Sequence, residues 1–281
     1  MTTSLRLKND KRLRDKLFTA ESYQHPAKGH LGLWQAIIEK YTQPGDTILD
    51  PMAGVGATLT AALMGRNVVC VELEPHFITP MLASWQKMRQ HPMLGHTLGQ
   101  VLILRGDARC LPLNSADAAI FSPPFQDQLP AQDKAWLATH AHEITSGGKA
   151  GVQFGPAMEQ SYTRPVDAIV SSPPYEEASK RDQSPFQDGC VADMMSRSYR
   201  STQHPTPENI GNQRGDAYWG SIRLVYGECH RVLRPGGIMA LVLKGFTRDG
   251  QYVDLPQQTA DLVESLGFTH FDTWRRELWS L

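Results

Sequence analysis

TILDPMAGVGAT, Thr47 to Thr58, decides how this chain folds. Thr47, Ile48 and Leu49 form a short β-rich run ending in Asp50. Ala53, Gly54, Gly56 and Ala57 then make a loop of small side chains that opens into a helix-like stretch, Leu59–Met64. Such a junction predicts strand, tight turn and helix. Glycine takes the positive φ that the turn needs, and small side chains let a ligand approach main-chain N–H groups at a helix N-terminus. Many α/β folds build such turns for packing alone, so the loop does not by itself establish a ligand.

The spacing downstream adds to it. A second apolar run, Asn67–Val71, ends in Glu72-Leu73-Glu74-Pro75, which places a carboxylate about 20 residues past the loop, where a dinucleotide-binding unit holds its ribose. Glu72 is the ribose candidate. A third run, Val101–Leu104, ends in Gly106-Asp107-Ala108, and a fourth ends in Ser-Pro-Pro-aromatic. In an open, mostly parallel sheet these polar tips converge at the carboxyl ends of the strands, where ligands bind.

DPMAGVGAT, VELEP, GDA and SPPF/SPPY, in this order, resemble the S-adenosylmethionine-dependent methyltransferases that modify exocyclic amino groups of DNA bases. His25-Pro-Ala-Lys28 resembles the motif those enzymes place before the glycine loop, beside the methionine end of the cofactor. The resemblance covers roughly residues 22 to 279 and implies a Rossmann-like class I methyltransferase, α/β, with helices on both faces of the sheet. It implies cofactor contacts at His25, Lys28, Asp50, Met52, Ala53, Gly54, Gly56 and Glu72, with Asp107 facing the adenine amino group. An Asp that merely closes the turn after Gly106 is the plainer alternative.

The catalytic motif occurs twice. Asp117-Ala-Ala-Ile-Phe-Ser-Pro-Pro-Phe125 recurs as Asp167-Ala-Ile-Val-Ser-Ser-Pro-Pro-Tyr175, and one sheet has one slot beside its first strand. Spacing favours Ser122, Pro123, Pro124 and Phe125, because choosing the second copy inserts the whole repeat into one crossover. Side-chain chemistry favours Ser172, Pro173, Pro174 and Tyr175. Ala168-Ile169-Val170 makes the better buried strand, and Ser-Ser-Pro-Pro-Tyr is closer to the form in the resembled family. The second copy is preferred.

The motif suits the reaction that the resemblance implies. An aryl amino nitrogen is a weak nucleophile, and acceptors on its two protons favour a pyramidal nitrogen whose lone pair faces the methyl donor. A Ser hydroxyl and a main-chain carbonyl held by proline's fixed φ can serve as those acceptors. The aromatic ring can stack on a base flipped out of the duplex. Within the family, Ser at the first position accompanies cytosine N4 more often than adenine N6, so cytosine N4 is preferred. The motif order here differs from that common among Ser-Pro-Pro enzymes, which keeps adenine open.

Length and composition set bounds. With 281 residues, 41% of them hydrophobic, the chain can fill one α/β core. Residues 1–21 read as a basic N-terminal arm carrying Arg6, Lys8, Lys11, Arg12, Arg14 and Lys16, either solvated or touching phosphate. Residues 22–281 read as the methyltransferase domain, with an irregular insertion around 126–215. Lys180, Arg181, Arg197, Arg200 and Arg214 in or near that insertion are phosphate-contact candidates. The net charge of −1 argues against a globally polyanion-binding surface.

The four cysteines have no metal-ligand spacing, so reduced thiols and no metal site are expected. No run of ~18 apolar residues is present, and a soluble, cytoplasmic protein without membrane contact follows as the expectation. Two other functions compete: methylation of an RNA amino group such as guanine N2 of tRNA, and a non-catalytic remnant that binds cofactor or DNA.

Toward the C-terminus a helix through Tyr218–Val232 leads by Leu233-Arg-Pro-Gly-Gly237 into a strand, Ile238–Leu243. Helix Val253–Leu266 and strand Phe271–Leu278 follow. The seventh strand of the resembled fold is expected to be missing. Its absence would leave Phe271–Leu278 as an unpaired edge and predicts self-association there.

Overall fold

The computed structural model describes residues 3–25, 29–93, 95–113, 166–171, 208–248 and 250–277. Its elements, in chain order, begin with β1 (Thr3–Leu5), α1 (Lys11–Leu17), α2 (Leu31–Tyr41) and β2 (Thr47–Asp50). After the glycine loop come α3 (Thr60–Leu63), β3 (Asn67–Glu72), α4 (Pro75–Met88) and β4 (Val101–Arg105). The rest are β5 (Val166–Ser171), α5 (Gly215–Val232), β6 (Leu233–Leu241), β7 (Phe246–Arg248), β8 (Gln251–Val253), α6 (Leu255–Glu264) and β9 (Trp274–Arg276).

The central sheet is a five-stranded parallel one in the order β4-β3-β2-β5-β6. The expected α/β architecture with a mostly parallel sheet is what the chain forms. Ile48, Leu49, Val68, Val69, Cys70 and Val71 are each no more than 1% exposed. Continuous apolar runs of this kind belong to strands covered on both faces. Helix α2 packs against α3 and β5, and α4 against β3 and β4.

Strand order reverses between β2 and β5, so the crevice at their carboxyl ends is the place where an open parallel sheet receives a ligand. The strand leading into the second Ser-Pro-Pro copy, Val166–Ser171, holds the slot beside β2, with Ala168 opposite Ile48. Its other neighbour is β6. There the register jumps from Val166↔Leu233 to Ala168↔Ile238, so Arg234–Gly237 bulge out, with Gly236 at φ +77°. The expected Pro-Gly-Gly turn is therefore a bulge within a longer strand. Arg234 pairs with Asp167 across it.

Two expectations need correction. Residues 1–21 do not behave as a separate arm where they are described: β1 and α1 are folded onto the body, and Leu17 and Phe18 are 4% and 1% exposed. Nor does the C-terminal strand lack a partner. Strand β9 pairs in parallel with β1, matching Thr3 to Trp274 and Leu5 to Arg276, and Glu277 N–H continues the ladder to Leu5 C=O. The ribbon lies along α2, where Tyr41 donates to Asp272 and its ring meets Phe271 and Trp274. Self-association through an unpaired β9 thus loses its stated cause. A hairpin of β7 and β8 around Gly250, at φ +75°, was not anticipated, although Asp249-Gly250 is a common hairpin turn pair.

Candidate cofactor site at the carboxyl edge of the sheet

The glycine loop is held closed by the acid that begins it. Asp50, 2% exposed, accepts from the Met52 N–H through Oδ1 and from the Thr58 hydroxyl through Oδ2. This ties the end of β2 to the start of the following helix. Ala53 N–H donates to Val71 C=O at 3.0 Å, and Gly56 N–H to Ala53 C=O at 2.8 Å, which docks the loop on β3. Thr58→Val removes the hydroxyl from a buried carboxylate. Chemical denaturation should show a loss of about 1–3 kcal/mol, and an unchanged midpoint would show that Asp50 does not organise the loop.

Gly54 (φ +55°) and Gly56 (φ +78°) both occupy the left-handed region. A Cβ on Gly54 would come within 2.9 Å of His25 Nε2, and one on Gly56 within 2.7 Å of Met81 Cγ. The close approach at both glycines is thus made by the protein itself. His25 lies against Gly54 of the loop, with its ring 4.5 Å from that of Phe77. Met52 is half-buried and Ala53 is 6% exposed. Lys28 lies outside the described residues.

Glu72, at the tip of β3, is 6% exposed and accepts the Gly54 N–H at 2.6 Å and the Glu74 N–H at 2.8 Å. Its carboxylate therefore grips the glycine loop. Burial pushes its pKa up to about 7; the Glu74 charge adds to this, while the N–H donors of Glu74, Gly54 and Leu73 pull it back. Burial thus outweighs the backbone donors on this carboxylate. The group retains acceptor capacity beyond its backbone partners.

At the next tip Asp107 has a local partner. Asp107 accepts Arg109 N–H at 2.9 Å and the Arg109 guanidinium at 2.6 to 3.1 Å. Burial opposes ionisation there, but these bonds outweigh it and hold the carboxyl below its ordinary range. Arg109 also donates to Glu208 C=O. Sequence reasoning missed Arg109, although an Arg two residues past an acid is a visible signal for a local ion pair.

It also missed Glu74 and Asn209. Glu74, 2% exposed, accepts from the Asn209 side-chain amide, and His76, whose pKa burial lowers to about 4, stands 3.8 Å from it. Ser122, Pro123, Pro124, Phe125, Ser172, Pro173, Pro174 and Tyr175 lie outside the described residues, as do Lys180, Arg181, Arg197 and Arg200. Arg214, exposed, immediately precedes α5. No helix among the described residues is long and apolar enough to cross a membrane.

Residues 4–83 match the family described as DNA methylase. The Type II methyltransferase M.BglI of Bacillus subtilis is 47% identical over 55 residues, which is 19% of this chain and 16% of that protein. The aligned stretch thus spans about a sixth of the relative's length. The likeness to DNA amino-methyltransferases read from the motifs is the one these comparisons find. The family match begins at Ser4, inside β1, and takes in His25, the glycine loop and Glu72.

Proposed function

We propose that this protein transfers a methyl group from S-adenosylmethionine to an exocyclic amino group of a DNA base, cytosine N4 in preference to adenine N6. The observation that carries the reading is the junction at Glu72. A buried carboxylate grips a left-handed glycine loop beside the point where the strand order reverses, within a segment that matches DNA methylases. We read the sheet as a Rossmann-like class I methyltransferase on the same grounds.

The residues fit the cofactor. A carboxylate offers about four acceptor sites, so Glu72 can accept from ribose hydroxyls beside its backbone partners, and His25, which the family resemblance assigns to the methionine end, lies against Gly54. When bound, S-adenosylmethionine supplies an electrophilic methyl on a cationic sulfur. The chain's own part is to orient the acceptor. Strand β5 pairs with β2 and ends one residue before Ser172-Pro173-Pro174-Tyr175 in the sequence, and this adjacency supports that motif as the acting copy. The Ser hydroxyl and a proline carbonyl then accept the two amino protons, and Tyr175 stacks on the flipped base.

Incubation with methyl-labelled S-adenosylmethionine and unmethylated DNA, RNA or no acceptor tests the assignment. Label in DNA, released on hydrolysis as N4-methylcytosine, is the expected result. Label in N6-methyladenine corrects the base, label in RNA moves the substrate class, and cofactor binding without transfer makes the protein a binding-only remnant.

A further inference from the structure

Between the second Ser-Pro-Pro copy and α5, the segment Glu208–Asn212 lies across the tips of β3 and β4. Two fastenings hold it. Arg109, paired with Asp107 after β4, donates to Glu208 C=O at 3.0 Å. Asn209 donates its amide N–H to Glu74 just past β3. The same Asn209 accepts Gly211 N–H at 2.7 Å through Oδ1, which starts the single 3₁₀ turn Ile210–Asn212, and Ile210, 3% exposed, anchors that turn in the core. Segment and strand tips are therefore joined through side chains that have other work on each side.

Glu74 matters because of its backbone. Its N–H is one of the backbone donors on Glu72, beside those of Gly54 and Leu73. Glu74 is also a buried acid two residues from another buried acid, and its charge raises Glu72. A neutral amide donor on Glu74 accepts that charge without adding a cation that would compete for Glu72. No local rule of strand or helix formation demands such a link.

We propose that Asn209 is a positioning residue for the cofactor site: its bond to Glu74 fixes the turn that holds Glu72 on the glycine loop, and it fastens the segment after the Ser-Pro-Pro motif to the cofactor acid. This rests on the cofactor reading above. It also makes the two halves of the site interdependent. Movement at 208–212 disturbs Glu72, and occupation of Glu72 steadies 208–212.

Asn209→Asp isolates the link. The new carboxylate still caps Gly211 N–H, so the turn survives, but it faces Glu74 with an acceptor and a like charge. Affinity for S-adenosylmethionine, by calorimetry, should fall about tenfold or more. Amide exchange at Gly54 and Glu74, followed without ligand, should speed up. Adding Glu74→Gln reverses donor and acceptor across the same pair, and the Asn209→Asp, Glu74→Gln double variant should regain affinity to within about threefold and slow the exchange again.

Wild-type affinity in Asn209→Asp, or a double variant no better than the single one, overturns the proposal. Wild-type protein that binds no S-adenosylmethionine overturns the proposed function instead. The positioning claim is then decided by the ligand-free exchange at Gly54 and Glu74, where unchanged rates in Asn209→Asp refute it.

Discussion

Pro174→Ala combined with Tyr175→Ala should reduce methyl transfer at least about a hundredfold, the scale of removing one positioned dipole from an active site. Pro124→Ala combined with Phe125→Ala should leave most of it. The asymmetry follows from which strand lies beside β2. Val166–Ser171 holds that place, paired to Ile48 on one side and to Ile238–Leu241 on the other, and it ends one residue before Ser172. Tritium transfer to DNA under saturating cofactor measures both pairs of substitutions. Loss confined to the first copy would reassign the active motif, and equal loss from both would mean that the repeat builds one composite site.

The contest between the two copies shows which sequence signals carry weight. Spacing argues for Ser122, since the second copy requires a crossover of some sixty residues between β4 and β5. Closing a longer loop costs little extra, because the entropy penalty grows only with the logarithm of its length. A strand between two parallel neighbours must instead fit in every residue, and Ala168 sits there with 0% exposure. For placing the strand, burial chemistry is the better guide and loop length the poorer one.

Strands β2, β3 and β4 were legible because each is a local pattern, a continuous apolar run ending in a polar tip. The β1–β9 ribbon was not, although Leu5 and Leu7 alternate with Ser4, Arg6 and Lys8 as a half-buried strand should. Its partner is at the other end of the chain, and no short-range signal names a partner that distant. The same limit hid Asn209. Asn-Ile-Gly announces an Asx-type turn, but nothing in it announces Glu74.

Glu72 gives the remaining large effect, and it should appear as opposite pH trends in stability and in binding. Its pKa in the folded protein is raised from 4.5 to about 7, chiefly by burial. A raised folded-state value means that the stability it confers is complete below pH 4.5 and is lost as pH rises through 7, because the unfolded chain ionises this group more readily. A tenfold change in an ionisation constant is worth about 1.4 kcal/mol, so the ligand-free protein should lose about 3 kcal/mol between pH 4.5 and pH 8 relative to Glu72→Gln, which has no such titration. Urea denaturation of both proteins across that range isolates the difference from every other titrating group. Cofactor binding should run the other way. Ribose hydroxyls donate to the ionised form, so affinity for S-adenosylmethionine rises as pH passes from 6 to 8, with proton release visible in calorimetry in buffers of different ionisation enthalpy. Glu72→Gln should bind with a flat pH profile, and Glu72→Ala, which loses the acceptor altogether, about 1.5–3 kcal/mol more weakly than wild type. A wild-type stability curve parallel to that of Glu72→Gln would show that Glu72 is ionised at ordinary pH and already supplied with donors, leaving it no need of the ribose.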